Sequence, residues 1–221
     1  MLVSIYPGDL FLWVSFAACC VGSALALYQA PWRAFFSVRE RSLLWIGYWI
    51  VISFIWLLRI PAAQSFSVHL CGLTAAVFIF GWPLTVILGA MAVVVNQLLE
   101  PMPWYTLSSQ MLLAVLIPAS IAYGVRRLVL ALPVNNLFVY LLGGGFFGSM
   151  ATTAASALTI LALFWALDVW SLRVVLQDNL WLFAVSMFPE GFMGGAVLTT
   201  ITVLWPELVK NYDDERYLSD R

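Results

Sequence analysis

Histidine occurs once in this chain of 221 residues, and Lys and Arg together only ten times. A lone histidine speaks against a multi-histidine membrane metalloenzyme. Ten cations against eleven acids, a net charge of −1, leave no basic surface for nucleic acid. Cysteine is equally scarce. Cys19 and Cys20 are neighbours inside one apolar run and Cys71 lies near the start of another, which is no pattern for a disulfide framework. The two neighbours read as apolar filler, with copper handling as the alternative. No Gly-x-x-x-x-Gly-Lys phosphate loop, haem-attachment motif or twin-histidine helix is present, so nothing indicates an enzyme.

Apolar residues, by contrast, make up 63% of the chain and charged ones 10%, and the mean hydropathy is +0.97. A soluble domain of this size cannot cover so much apolar surface, whereas a bilayer accepts it. Eleven Trp, eight Tyr and fifteen Phe suit interfacial belts and lipid-facing packing. The expected fold is all-α: a polytopic membrane bundle in one domain, 1–221. The first apolar run carries an Ala24-Leu25-Ala26 triplet that mimics a signal cleavage site. Met1–Asp9, however, lacks Lys and Arg, so residues 10–29 read as a retained span.

Seven spans are expected, at about 10–29, 43–58, 68–80, 84–99, 107–125, 137–167 and 180–204, with 205–221 as a cytoplasmic tail. The third and fourth are separated by Gly81-Trp82-Pro83, a turn sequence that makes two short antiparallel helices of one apolar stretch. With the N-terminus outside, the inner segments hold Arg33, Arg39, Arg41, Arg126, Arg127, Lys210, Arg216 and Arg221, and the outer ones Arg59 and Arg173. The positive-inside rule favours this N-out, C-in arrangement. Two Gly-x-x-x-Gly pairs, Gly144/Gly148 and Gly191/Gly195, mark close helix contacts. The first continues through Thr152 and Ser156 as a small-residue stripe for packing within the bundle.

Polar side chains at membrane depth are functional candidates because they are expensive there. His69 and Cys71 lie at the outer mouth of the third span, and Asn96 and Gln97 end the fourth on the same side. The segment Met1–Asp9 starts outside and can dip into that mouth. Together these make a capture site for a cation or small polar ligand, since imidazole is the commonest transition-metal ligand and a thiolate favours softer ions. The structural alternative makes His69 a helix-end hydrogen bonder and Asn96 and Gln97 interhelical ones. On a helix, His69 and Cys71 would not share a face. Glu190 sits mid-span between Pro189 and Gly191. It is either a latch to a freed backbone group or a substrate and gating residue, and its carboxyl must be protonated or paired.

The stretch Ser67-Val68-His69-Leu70-Cys71-Gly72-Leu73-Thr74, followed by Phe80-Gly81-Trp82-Pro83-Leu84, resembles the His-x-x-Gly segment of CbiM/NikM-type proteins. These are the cobalt/nickel substrate-capture components of energy-coupling-factor ABC transporters. Phe188-Pro189-Glu190-Gly191-Phe192, Trp205-Pro206-Glu207 and the tail Asp213-Asp214-Glu215-Arg216-Tyr217-Leu218 resemble a short proteobacterial branch of their permeases. The resemblance implies a seven-helix fold in a bacterial inner membrane, with Co²⁺ or Ni²⁺ captured from outside as substrate and no tightly bound cofactor. It implies ATPase subunits and a coupling membrane subunit as partners, with the Arg33–Arg41 loop and the acidic tail as docking surfaces. Metal-binding members carry His directly after Met1, where this chain has Leu2. The metal ligands this resemblance leaves are the Met1 amine and His69, with Cys71 as a substitute; Asn96, Gln97 and Glu190 are the further substrate-binding candidates. Three functions fit: a transition-metal capture subunit; a non-transporting or metal-supplying membrane subunit of a larger complex; or capture of an organic cofactor, which would need a large apolar pocket.

Overall fold

The computed structural model describes residues 2–3, 9–62, 66–100, 103–133, 136–168 and 180–210. Its body is a helical bundle. Helix α1 (Asp9–Gln29) opens on an acidic residue in its first turn and ends just before Pro31. A short α2 (Trp32–Ser37) leads into α3 (Arg39–Ile55). Two short helices follow, α4 (Leu73–Phe80) and α5 (Trp82–Leu99), and the latter starts with Pro83 in its first turn. Next, α6 (Thr106–Gln110), a π-helical stretch Met111–Leu116 and α7 (Ile117–Ala131) run on as a helix of 26 residues. A π-helical segment, Val139–Phe147, passes into α8 (Gly148–Ala166), and α9 (Leu180–Leu204) precedes a 3₁₀ turn at Pro206–Leu208.

Among the described residues, five helices are long and apolar enough to cross a bilayer: Asp9–Gln29, Trp82–Leu99, Thr106–Ala131, Val139–Ala166 and Ala184–Leu204. The protein is therefore a multi-pass membrane protein. Helices α3 and α4, which the sequence reads as further spans, are shorter, at 17 and 8 residues. All eight residues of α4 are buried, and α5, α7, α8 and α9 pack around it.

Two sequence expectations are corrected. The third helix does not begin at Val68. Gly72 adopts a left-handed φ of 66° and starts α4 at Leu73, so His69–Cys71 approach as non-helical chain. The fold also contains strands: β1 (Leu2–Val3), β2 (Ile60–Ala62) and β3 (Phe66–Val68) form an antiparallel sheet in the order β1-β3-β2. Leu2 pairs with Ser67, and Ile60 with Val68. An apolar count cannot tell a short strand from the start of a helix at Val68.

Both glycine pairs pack inside the bundle. Gly191 and Gly195 close on Phe146, Gly144 on Phe78, and Gly148 on Val125. The nearest backbone approach lies beside them, where a Cβ on Gly145 would sit 2.9 Å from the Cα of Gly195. This contact fixes α9 against the π-helical segment that leads into α8.

Candidate functional site

The segment His69–Gly72 is held from three sides. From α9, the Glu190 carboxylate accepts two backbone hydrogen bonds, from Cys71 N–H at 2.7 Å and from Gly72 N–H at 2.6 Å. From α3 and its end, Tyr48 donates its hydroxyl to the Gly72 carbonyl at 2.6 Å, and Trp56 donates Nε1–H to the Cys71 carbonyl at 3.1 Å. From the π-helical stretch, the Ala114 carbonyl accepts a weak contact from Cys71 Sγ at 3.8 Å. A buried carboxylate is tolerable here because both its oxygens receive charge-assisted bonds and it lies at the positive end of α4. Glu190 is only 3% exposed.

His69 packs its ring against Trp56, with centroids 4.9 Å apart, and its Nδ1 lies 3.1 Å from the Leu70 carbonyl. In the tautomer that donates Nδ1–H to that carbonyl, the ring lone pair is at Nε2, the form in which imidazole ligates a metal. His69, Cys71 and Glu190 line one cavity of about 60 Å³. On the α8 side its wall carries Thr152, Thr153 and Ser156, and Thr74 and Ser186 add further hydroxyls. The sequence reads Thr152 and Ser156 as a packing stripe. Their detectable signal was the polar group itself, repeated four residues apart on one helix face at membrane depth.

Asn96 and Gln97 are not in this wall. Asn96 is buried between α3 and α5, donates Nδ2–H to the Ser53 carbonyl at 3.2 Å and accepts from Arg59 at 3.2 Å. Arg59 in turn pairs with Glu100 at 2.8 Å. Gln97 accepts from Gln110 Nε2 at 3.2 Å. Met1 lies outside the described residues, although Leu2 beside it pairs with Ser67 on the strand that leads to His69. Among the described residues, no three His, Cys, Asp or Glu side chains converge as a ready-made metal cage.

The sequence profile of a family described as "CbiM: Cobalt uptake substrate-specific transmembrane region" matches residues 7–208 of this chain. Two solved structures share the fold. One is described as the crystal structure of a transition metal transporter, with a TM-score of 0.70 and 18% identity over 92% of this chain and 93% of that one. The other is a truncated transition metal transporter, with a TM-score of 0.69 and 18% identity over 92% and 99%. No curated protein matches the sequence significantly.

Proposed function

This chain belongs to the CbiM family of cobalt-uptake substrate-specific transmembrane regions, and we propose that it captures a divalent transition-metal cation, Co²⁺ or Ni²⁺, at His69. It is a membrane transport component and not an enzyme. In this proposal the whole chain is one membrane domain crossing the bilayer seven times, N-out and C-in. Helix α3 and the short α4 serve as the second and third spans. The charge distribution supports that orientation, since eight of the ten cations fall on the inner side.

The observation that carries the capture reading is the shared cavity of His69, Cys71 and Glu190. Imidazole is the primary ligand. Cys71 lies on the same wall, and the Met1 amine remains a proposed ligand through the pairing of Leu2 with Ser67. Glu190 positions the loop through its two amide bonds and places negative charge beside the ion. Asn96 and Gln97, bonded within the bundle, support the walls of the mouth rather than touching substrate. The cavity of His69, at about 60 Å³, is far below the roughly 300–1,000 Å³ of small-molecule pockets, which favours an ion over an organic cofactor at that site. A larger apolar hollow of about 430 Å³ between α3 and α9 contains none of His69, Cys71 and Glu190. Import requires energy from outside this chain, so ATPase subunits and a coupling membrane subunit are its proposed partners, as in energy-coupling-factor transporters.

Elemental analysis of the gently purified protein tests the proposal. Stoichiometric cobalt or nickel that disappears in His69→Ala supports it. Metal-free protein after loading and washing contradicts it, and a stable complex with a redox enzyme would turn the assignment to a non-transporting subunit.

A further inference from the structure

Resting on that capture reading, we infer that the ion enters with part of its water shell, and that Thr152 and Ser156 hold this shell by hydrogen bonds. Four observations lead there. First, the described residues offer no cage of three His, Cys, Asp or Glu side chains, and divalent first-row ions take four to six ligands. Second, both Glu190 oxygens already accept short backbone bonds, which limits the carboxylate as a direct ligand. Third, Thr152 and Ser156 are 3% and 6% exposed, line the cavity, and their hydroxyls have no hydrogen-bond partner among the described residues. A buried hydroxyl without a partner is costly and is expected to be satisfied by water or ligand. Thr153, on the same wall, instead donates to the Ser149 carbonyl of its own helix at 3.0 Å. Fourth, a cavity of about 60 Å³ has room for roughly two waters at about 30 Å³ each.

The four-residue spacing of Thr152 and Ser156 sets the two hydroxyls one above the other on a single face of α8. A hydroxyl can accept from a metal-bound water and donate in the same position. The substrate class is therefore a partly aquated divalent ion. Its inner sphere holds the His69 imidazole and at most one of the Cys71 thiolate and the Met1 amine, the rest being water oriented by neutral oxygens. This arrangement allows a chain with a single histidine to select an ion without dehydrating it fully.

The test uses the full-length protein in detergent with Co²⁺ alone as the probe. Affinity is measured by chelator competition for wild type, Thr152→Val, Ser156→Ala and the double variant. X-ray absorption then counts the nitrogen, oxygen and sulfur ligands. The expected loss is about 10–100-fold per hydroxyl, the usual effect of removing a group that supports a ligand. Thr152→Ser keeps the hydroxyl and should retain affinity, and unchanged melting temperatures exclude a folding effect. The wild-type spectrum should show one imidazole, at most one further nitrogen or sulfur ligand, and oxygen for the rest. Wild-type affinity in the double variant, or a wild-type shell of three or more protein nitrogens and sulfurs, overturns the inference while leaving capture intact. Absence of Co²⁺ binding in the wild type overturns both.

Discussion

Helix α4 is closed at its two ends by residues of opposite charge from one stretch of chain, and the two closures differ in strength. At its N-terminal end, Glu190 receives the N–H groups of Cys71 and Gly72 and is almost wholly buried. At its C-terminal end, the Lys210 backbone N–H donates to the Ile79 carbonyl at 2.9 Å. There the ammonium lies over Gly81, where a Cβ would come within 2.9 Å of Nζ. Each charge complements the helix dipole. Glu190, however, has both oxygens bonded to backbone amides and is almost wholly buried. Lys210 is half-buried, and its surroundings hold Arg126, which donates to the Lys210 carbonyl at 3.3 Å, and Arg41. The end that borders the cavity is thus the fixed one, and the far end is held by a charge among like charges.

Removing the strong closure should have the largest effect. Glu190→Ala leaves two buried amide donors without partners and is expected to lose on the order of 3–5 kcal/mol. Unfolding in detergent should read this loss, together with loss of cobalt retention. A stable, metal-retaining variant would show that the latch is dispensable. Gly72→Ala attacks the same end through the backbone. The left-handed φ of 66° alone costs an L-residue about 1–2 kcal/mol, and the new methyl also meets Ile52. A melting temperature equal to wild type would mean that the turn relaxes freely.

The weak closure should give the smallest change, and one that depends on pH. Burial first, then the charges of Arg126 and Arg41, lower the Lys210 pKa below the ordinary lysine value. Between those two values the unfolded chain holds a proton that the folded chain has released, so stability rises with pH in that window. The cost of the ammonium is fully present below the lowered pKa and is relieved as pH climbs through it. Lys210→Met keeps the backbone bond to Ile79 and should flatten this alkaline rise. Its gain over wild type should be largest at neutral pH, where the ammonium's cost is fully present, and fade as pH climbs. An undiminished rise in the variant would assign it to another group.

The bundle was largely legible in the sequence because long apolar runs leave few alternatives to helices. The expected 10–29, 84–99 and 180–204 correspond to Asp9–Gln29, Trp82–Leu99 and Leu180–Leu204. The Gly81-Trp82-Pro83 turn lies where its residues place it, between α4 and α5. The start of α4 was not legible. Val68 to Phe80 is apolar apart from His69 and Thr74, and the left-handed φ of Gly72, whose N–H bonds to Glu190 more than a hundred residues away, starts the helix at Leu73. The small sheet escaped for a related reason, since strands of two or three residues carry no readable alternation. Among site residues, His69, Cys71 and Glu190 stand out as polar groups in apolar runs, and they do share a cavity. Thr152 and Ser156 look like packing residues because small hydroxylated side chains serve both purposes.

The most direct measurement is the anomalous difference density of cobalt in crystals of the loaded protein, recorded at the cobalt edge. The account predicts one peak within coordination distance of the His69 imidazole, inside the cavity bounded by Thr152, Ser156 and Glu190. A peak elsewhere, such as beside Cys19 and Cys20, or no peak in protein shown to carry cobalt at one equivalent, would contradict it.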